Sequence, residues 1–283
     1  MRKNTKAFID FIVARHQVFL NRKAGMQKPW TPDAVLQAYR FCNVYRELDT
    51  VTLWVKDNWR EPNRDKPDVW FAMVVARLVN WPQSLLEFSP HGPVSSWRPK
   101  WFVDALDKRK AACEKVFTGA YMIHAGPNPG SKAGYLAEEV LTPMWERRAE
   151  IRPRKGDTLE SFHARLMTCK DMGSFMAGQV VADTKYTDSL GMAPDWWTWA
   201  AMGPGSQRGL SRVAMLDIKT KWKQEVWLPV LQELQAEVNF VILKKGWTKL
   251  HAQDIQNCLC EFDKYERVRL GEGRPRSLYN GRK

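Results

Sequence analysis

Three sets of polar residues in this 283-residue chain have the types and spacing for chemistry on an anion. The first lies in RFCNVYRELDTVT at 40–52, inside a segment (32–56) whose periodicity predicts a helix. There Arg40, Asn43 and Glu47 fall at i, i+3 and i+7 and share a flank. They sit beside an apolar stripe of Phe41, Val44, Tyr45, Leu48, Val51 and Thr52. Arg46 continues the polar side with Tyr39 and Thr50. Asn43 is a poor interior helix former, and its place between two arginines suits a cleft wall that holds an anion. The alternative is a core helix with ordinary ion pairs on its solvated side. In the second set, Gln179 and Asp183 are i, i+4 neighbours on the edge of a small-residue helix, GSFMAGQVVADTKY. An acid nearly surrounded by apolar positions is either paired or functional. In the third set, Asp254, Asn257, Cys258, Glu261 and Tyr265 share one helix face, with Lys264 flanking. Leu259 and Phe262 lie on the other side, which leaves the acid–amide–acid face to line a cleft. Cations of this kind stabilise a negatively charged leaving group, and a carboxylate can take a proton from a nucleophile.

Two loops add candidate phosphate contacts. Gly126 to Gly134 superficially resembles the nucleotide-binding G-x-x-x-x-G-K-[ST], but Gly126 and Gly130 are too close together. Ala133 also stands where a magnesium-binding hydroxyl is needed, so the loop does not support a nucleotide kinase. Ser131 and Lys132 could still hold a phosphate ahead of a helix, with a solvated turn as the alternative. In WWTWAAMGPGSQRGLSRV, apolar residues precede Gly203-x-Gly205, Ser206 and Arg208, the pattern of a helix-hairpin-helix element. Glycines there let backbone N–H groups approach a DNA phosphate. Pro204 occupies a usually apolar position and removes one donor, so a plain turn between two helices stays open.

The elements that must position these groups read as helices throughout. Residues 4–22 form an amphipathic helix with Phe8, Phe11, Ile12, Val18 and Phe19 inward. Thr31 can cap the 32–56 segment, with Pro32 at its first position and Asp33 in its first turn. Asp68 can cap VWFAMVVARLVN, and helices are expected at 101–117 and 157–168, the latter capped near Asp157 or Thr158. A long helical pattern runs from Lys219 to Leu243 with a kink expected at Pro229. The apolar run before Gly126 reads as a short strand or extended segment. From these elements we expect one two-lobed helical domain, with the segments 32–56, 174–186 and 252–267 converging on a cleft. A basic tail follows at about 268–283; from Lys264 onward there are seven basic residues against two acidic. Arg267 just before it, with Arg274 and Arg276 within it, could meet a nucleic-acid backbone.

Composition narrows the function classes. A formal charge of +13, from 44 Lys+Arg against 31 Asp+Glu, points to a polyanionic partner. Fourteen tryptophans suit either thick helix packing or base stacking. Five cysteines without a C-x-x-C pair suit reduced, mostly buried thiols. The N-terminal apolar run is broken by Asp10, Arg15 and His16, so neither a secretion signal nor a membrane span is expected. No zinc-binding spacing or nucleophilic serine motif occurs.

Taken together, RFCNVYRELDTVT at 40–52, GSFMAGQVVAD at 173–183 and DIQNCLCEFDKYERVRLGEGRPR at 254–276 resemble the alpha-glutamyl/putrescinyl thymine pyrophosphorylase family, clade 2. The resemblance implies an all-α fold similar to helix-hairpin-helix DNA glycosylases. It implies bacteriophage thymine hypermodification in the cytoplasm of the infected host, on double-stranded DNA with modified pyrimidines. The implied reaction is an amino acid:DNA transfer. A free amino acid, glycine or serine for instance, displaces pyrophosphate from 5-hydroxymethyluracil that a separate upstream DNA base kinase has prepared. The target base would leave the stack to reach the site. On that reading Arg40, Asn43, Arg46 and Lys132 grip the pyrophosphate, and Asp183, Asp254 and Glu261 with Gln179 bind the amine or supply the base. Asn257, Lys264, Tyr265 and Arg267 complete the substrate site, and Gly203, Gly205, Ser206, Arg208, Arg274 and Arg276 meet DNA. A divalent metal ion (Mg2+) is the one candidate cofactor. Two other readings stay open: a DNA glycosylase with Asp217 as its acid, and a non-enzymatic DNA-binding protein.

Overall fold

The computed structural model describes residues 4–118 and 131–273. The protein is all-α, with no strand among the described residues. In chain order the helices are α1 (Thr5–Lys23), α2 (Ala34–Ala38), α3 (Thr50–Val55), α4 (Val69–Val79), α5 (Pro82–Phe88), α6 (Pro99–Ala111) and α7 (Lys132–Tyr135). They continue with α8 (Thr142–Glu146), α9 (Arg148–Ile151), α10 (Leu159–Leu166), α11 (Ser174–Thr184), α12 (Pro204–Ala214), α13 (Gln224–Lys244) and α14 (Ala252–Arg269). Wide-turn helical stretches extend α3 over Lys56–Arg60 and α7 over Leu136–Leu141. Two compact units result: Met1–Asp49 with Thr198–Lys283, and Thr50–Trp197. No helix among the described residues is long and apolar enough to cross a membrane.

The first unit is built on α1, α12, α13 and α14. Phe8, Phe11 and Ile12 of α1 are buried with Leu259 and Phe262 of α14 and with Trp227, Leu231 and Leu234 of α13. The Phe8 and Phe262 rings meet edge to face at 5.3 Å. α12 lies so close to α14 that a Cβ on Gly209 would sit 2.1 Å from the carbonyl oxygen of Leu259, and one on Gly205 3.1 Å from Cys260 Sγ. These two glycines therefore serve helix-to-helix approach. The Asp263 carboxylate, 1% exposed, ties the same two helices together: Arg208 Nε and Arg212 Nε donate to it at 2.8 and 2.9 Å.

In the second unit, α4 is buried along its whole length, as its nearly unbroken apolar sequence requires. Aromatic rings pack around it, Phe71 against Trp145 at 5.0 Å and against Trp97 at 5.4 Å. Trp59 and Trp70 are fully buried, which answers part of the tryptophan excess by packing.

Three local expectations are corrected. Residues 32–56 are not one helix. α2 ends at Ala38, Tyr39 and Tyr45 are extended (φ −120°, ψ 148° and φ −89°, ψ 113°), and a single tight turn occupies Arg46–Leu48 before α3 begins. Side chains take over the backbone bonding that a helix would supply. Arg15 donates to the Phe41 carbonyl, and Asn43 Nδ2 donates to the Leu48 carbonyl. The Cys42 and Asn43 N–H groups donate to Glu261 and Asp49. The stripe read from 3.6-residue spacing is thus spread over a loop, a turn and a separate helix. Secondly, the cap of α2 is Asp33, whose side chain accepts from the Leu36 N–H at 2.9 Å; Thr31 instead accepts the Asp33 N–H. Thirdly, residues 185–203 hold turns and no helix, so α12 follows a loop and the first helix of a hairpin is missing. Elsewhere α1, α10 with Thr158 as its cap, α11 and α14 lie where periodicity placed them, while α6 stops at Ala111 and α13 starts at Gln224, both short of the expected 101–117 and 219–243. The short strand before Gly126 falls outside the described residues.

Candidate functional site

In the first unit, the loop between α2 and α3 lies against α14, and Asn43 organises it. Asn43 Oδ1 accepts from Arg15 Nη2 at 2.9 Å, its N–H donates to Asp49 Oδ1 at 2.8 Å, and its carbonyl accepts from Asn257 Nδ2 at 3.3 Å. With Nδ2 on Leu48, each of its polar groups is engaged, so Asn43 positions its neighbours. Glu261 accepts the Cys42 N–H at 2.8 Å and the Lys264 ammonium at 2.5 Å, and that ammonium also sits 4.6 Å over the Phe41 ring. Tyr265 donates its hydroxyl to Asp33 at 2.7 Å, joining α14 to the cap of α2. Burial first, then this bond to Asp33, pushes the Tyr265 phenol up.

Asp49 is the exceptional acid of the cluster. Burial raises its carboxyl to about 6, against the opposing pull of the Asn43 N–H and of the Arg46 and Arg15 charges. Arg15, half-buried, has its own guanidinium pushed down by burial while Asp49 pulls it up. Neither residue belonged to the set chosen from sequence. Asp49 lies inside the 40–52 motif six positions after Asn43, a signal that was there to be used. Arg15 reads as one more charge on an amphipathic helix, and only the fold brings it to Asn43.

The remaining expected residues fall as follows. Arg40, next to Phe41, is exposed and makes no ion pair among the described residues. Arg46 is buried, and its N–H donates to Asp254 Oδ1 at 3.0 Å. Asp254 also accepts the His251 N–H at the start of α14, so it caps that helix. Arg208 and Arg267 both face Asp263, the latter at 3.5 Å. Ser206 is fully buried, and its hydroxyl bonds the N–H and carbonyl of Gly203. The Gly203 N–H and the Ser206 hydroxyl are therefore engaged with each other.

Asp183, Gln179 and Lys132 belong to the second unit. Asp183, 1% exposed, is gripped fork to fork by Arg77, Nε to Oδ2 at 2.5 Å and Nη2 to Oδ1 at 2.6 Å. Arg77 Nη2 also donates to Thr52 Oγ1 at 3.1 Å. Gln179 is buried on the same helix as Asp183. Lys132 sits 4.3 Å over the Phe117 ring, and burial lowers its ammonium. Ser131 caps α7 through the Gly134 N–H. Gly126, Gly130, Arg274 and Arg276 lie outside the described residues. Among the described residues no cluster of three His, Cys, Asp or Glu side chains could hold a metal ion.

The first unit thus offers a polar cluster with cations on its rim and one carboxyl raised to about 6. Comparison with known proteins now defines its class. Residues 2–274 match the model of the 5-hmdU DNA kinase helical domain, and the chain belongs to that family. A relative is the 5-hmdU DNA kinase of Bacillus phage SP10, 26% identical over 282 residues that cover 90% of this chain and 43% of the relative. The chain therefore spans less than half the length of that relative. No solved structure matches.

Proposed function

We propose that this protein acts in phage thymine hypermodification, replacing the pyrophosphate on 5-hydroxymethyluracil in DNA with an amino acid. Membership of a family named for a 5-hmdU DNA enzyme supports the substrate class, as does the surplus of positive charge. The observation that carries the chemistry is the Asp49 carboxyl, held near 6 within a cluster of arginines. A general base with that pKa is ionised at neutral pH and still able to accept a proton. Arg40 and Lys264 on the rim, with Arg15 and Arg46 behind them, hold the pyrophosphate. Asp49 takes a proton from the ammonium group of the amino acid. The amine nitrogen then bonds to the hydroxymethyl carbon, and the carbon–oxygen bond breaks with its electron pair leaving on pyrophosphate. Asn43, Asn257 and Glu261 fix the loop that carries these groups, and Asp254 anchors it through Arg46. Asp183, neutralised by Arg77, serves the second unit. A DNA base kinase upstream supplies the substrate, and the work is done in the cytoplasm of the infected host.

A second reading has its own support. The relative bears the name of a kinase, so this chain could be the helical part of an enzyme that phosphorylates the hydroxymethyl group. One experiment separates the two. Duplex DNA bearing 5-hydroxymethyluracil, plain or pyrophosphorylated, is incubated with the protein and either ATP or a panel of amino acids, digested to nucleosides and weighed by mass spectrometry. Transfer gives an amino-acid mass gain with pyrophosphate release on the pyrophosphorylated DNA. A phosphate gain on plain DNA with ATP, and no amino-acid adduct across the panel, replaces it with the kinase reading.

A further inference from the structure

The loop after α12 has a composition that the proposed chemistry does not use. In MLDIKTKWK at 215–223, three large apolar side chains face solvent: Met215 at 62% exposure, Leu216 at 48% and Ile218 at 38%. Met215, Leu216 and Ile218 fall within four consecutive residues, so their exposure is concentrated and not scattered singly. Lys219, Lys221 and Lys223 are all exposed, and none makes an ion pair among the described residues. The one acid of the loop, Asp217, turns its carboxylate back onto the Lys219 N–H at 2.8 Å.

The loop is held in shape. Met215 ends α12 in the left-handed region (φ 58°), and the Leu216 N–H returns to the Ser211 carbonyl at 2.9 Å. The Trp222 indole donates to Ser211 Oγ at 2.9 Å, which turns that side chain inward. The lysines on either side of Trp222 are both exposed, and the chain is extended at Lys223 (φ −98°, ψ 147°). These bonds at 215–217 and Trp222 lower the cost of ordering the loop on binding.

We infer that residues 215–223 form a duplex-DNA binding element in which the three lysines hold phosphates while Leu216 and Ile218 press as wedges against a base step. The inference rests on the reading that this protein works on DNA. It is independent of the Gly203–Ser206 turn, where the Gly203 N–H and the Ser206 hydroxyl bond each other, and it places the DNA contact one helix further along the chain. Apolar wedges flanked by cations partially unstack and bend a duplex, and unstacking eases extrusion of a neighbouring base.

The test uses the whole protein, a fluorescein-labelled duplex and a salt titration followed by anisotropy. Replacing Lys219, Lys221 and Lys223 together by Ala should lower the slope of log affinity against log salt by about 2–3, since each lost phosphate contact removes about 0.9. The Leu216→Ala, Ile218→Ala double variant should keep the wild-type slope. It should lose the bend, read as end-to-end energy transfer, and the unstacking, read as 2-aminopurine fluorescence. All five side chains are exposed, so melting temperatures should match wild type. If wild type binds DNA and the lysine variant keeps its slope, the inference falls and the functional reading stands. If wild type does not bind duplex DNA at low salt, both fall. Binding to vesicles of equal parts phosphatidylserine and phosphatidylcholine that is lost in these variants, with DNA binding unchanged, would assign the loop to a membrane surface and overturn the inference.

Discussion

The two units treat a carboxylate among arginines in opposite ways. In the second unit, Asp183 meets Arg77 fork to fork, both almost completely buried, and Thr52 takes a further guanidinium N–H. In the first, Asp49 is flanked by Arg15 and Arg46, yet makes no ion pair among the described residues and accepts the Asn43 N–H. The first arrangement closes a site, because both charges are consumed where no solvent reaches. The second leaves a carboxyl whose proton can come and go at about pH 6. Residue types alone do not separate the two; partner geometry does.

Breaking the closed pair should have the largest effect. Asp183→Asn or Arg77→Met takes the ion-pair partner from a buried charge, which costs about 3–5 kcal/mol in denaturant unfolding. An Arg77→Met, Asp183→Leu double variant should recover much of that loss, and singles as stable as wild type would show that the pair carries no stability. Next comes the approach of α12 to α14. Gly209→Ala drives a methyl group toward the Leu259 carbonyl and should destabilise the first unit by about 1–3 kcal/mol. An unchanged denaturation midpoint would mean that the two helices separate at no cost.

The open carboxyl should give a smaller effect of distinctive sign. The folded-state pKa of Asp49 lies near 6, above its ordinary value of 3.8, so the folded protein holds this proton more tightly than the unfolded chain. The contribution of Asp49 to stability is therefore most favourable below about pH 4 and declines as pH rises to about 6, by at most about 2 kcal/mol given its partial exposure. Asp49→Asn should remove that decline, and urea titrations at a series of pH values would reveal an unaltered slope if the assignment is wrong. The smallest effect on stability belongs to Arg40→Ala, within about 0.5 kcal/mol because the side chain is exposed and unpaired. Its effect should appear in binding instead, with affinity for pyrophosphorylated DNA falling about tenfold while that for unmodified DNA changes little. Equal losses on both DNAs would make Arg40 a general backbone contact.

Helices with a clean 3.6-residue pattern were legible in the sequence: α1, α10, α11 and α14 have apolar faces and, in α10, an ordinary cap. The 40–49 loop was not, because its apolar residues also happen to fall at helical spacing. What decides against a helix there is bonding from far along the chain, by Arg15 and Glu261, which no local pattern records. For the same reason the site was legible in part. The motif containing Arg40, Asn43 and Arg46 and the α14 face with Asn257, Glu261 and Lys264 do come together around one loop. Asp254, chosen for its acid chemistry, is a capping residue, which its place three positions into the helix could have suggested. Gly203 and Gly205 looked like part of a phosphate loop, and the packing of Gly205 on Cys260, like that of Gly209 on Leu259, depends on an interhelix distance that sequence does not contain.

The most direct test of the account is the pH dependence of pyrophosphate release from pyrophosphorylated 5-hydroxymethyluracil DNA at saturating amino acid, in wild type and in Asp49→Asn. With Asp49 as the general base, the wild-type rate rises with pH through about 6 and levels off, because only the ionised carboxylate accepts the proton. The variant should lose that limb and run about 100- to 10,000-fold slower, with its DNA affinity intact. An Asp49→Asn protein that transfers amino acid at the wild-type rate, with the same rise through pH 6, would contradict the account.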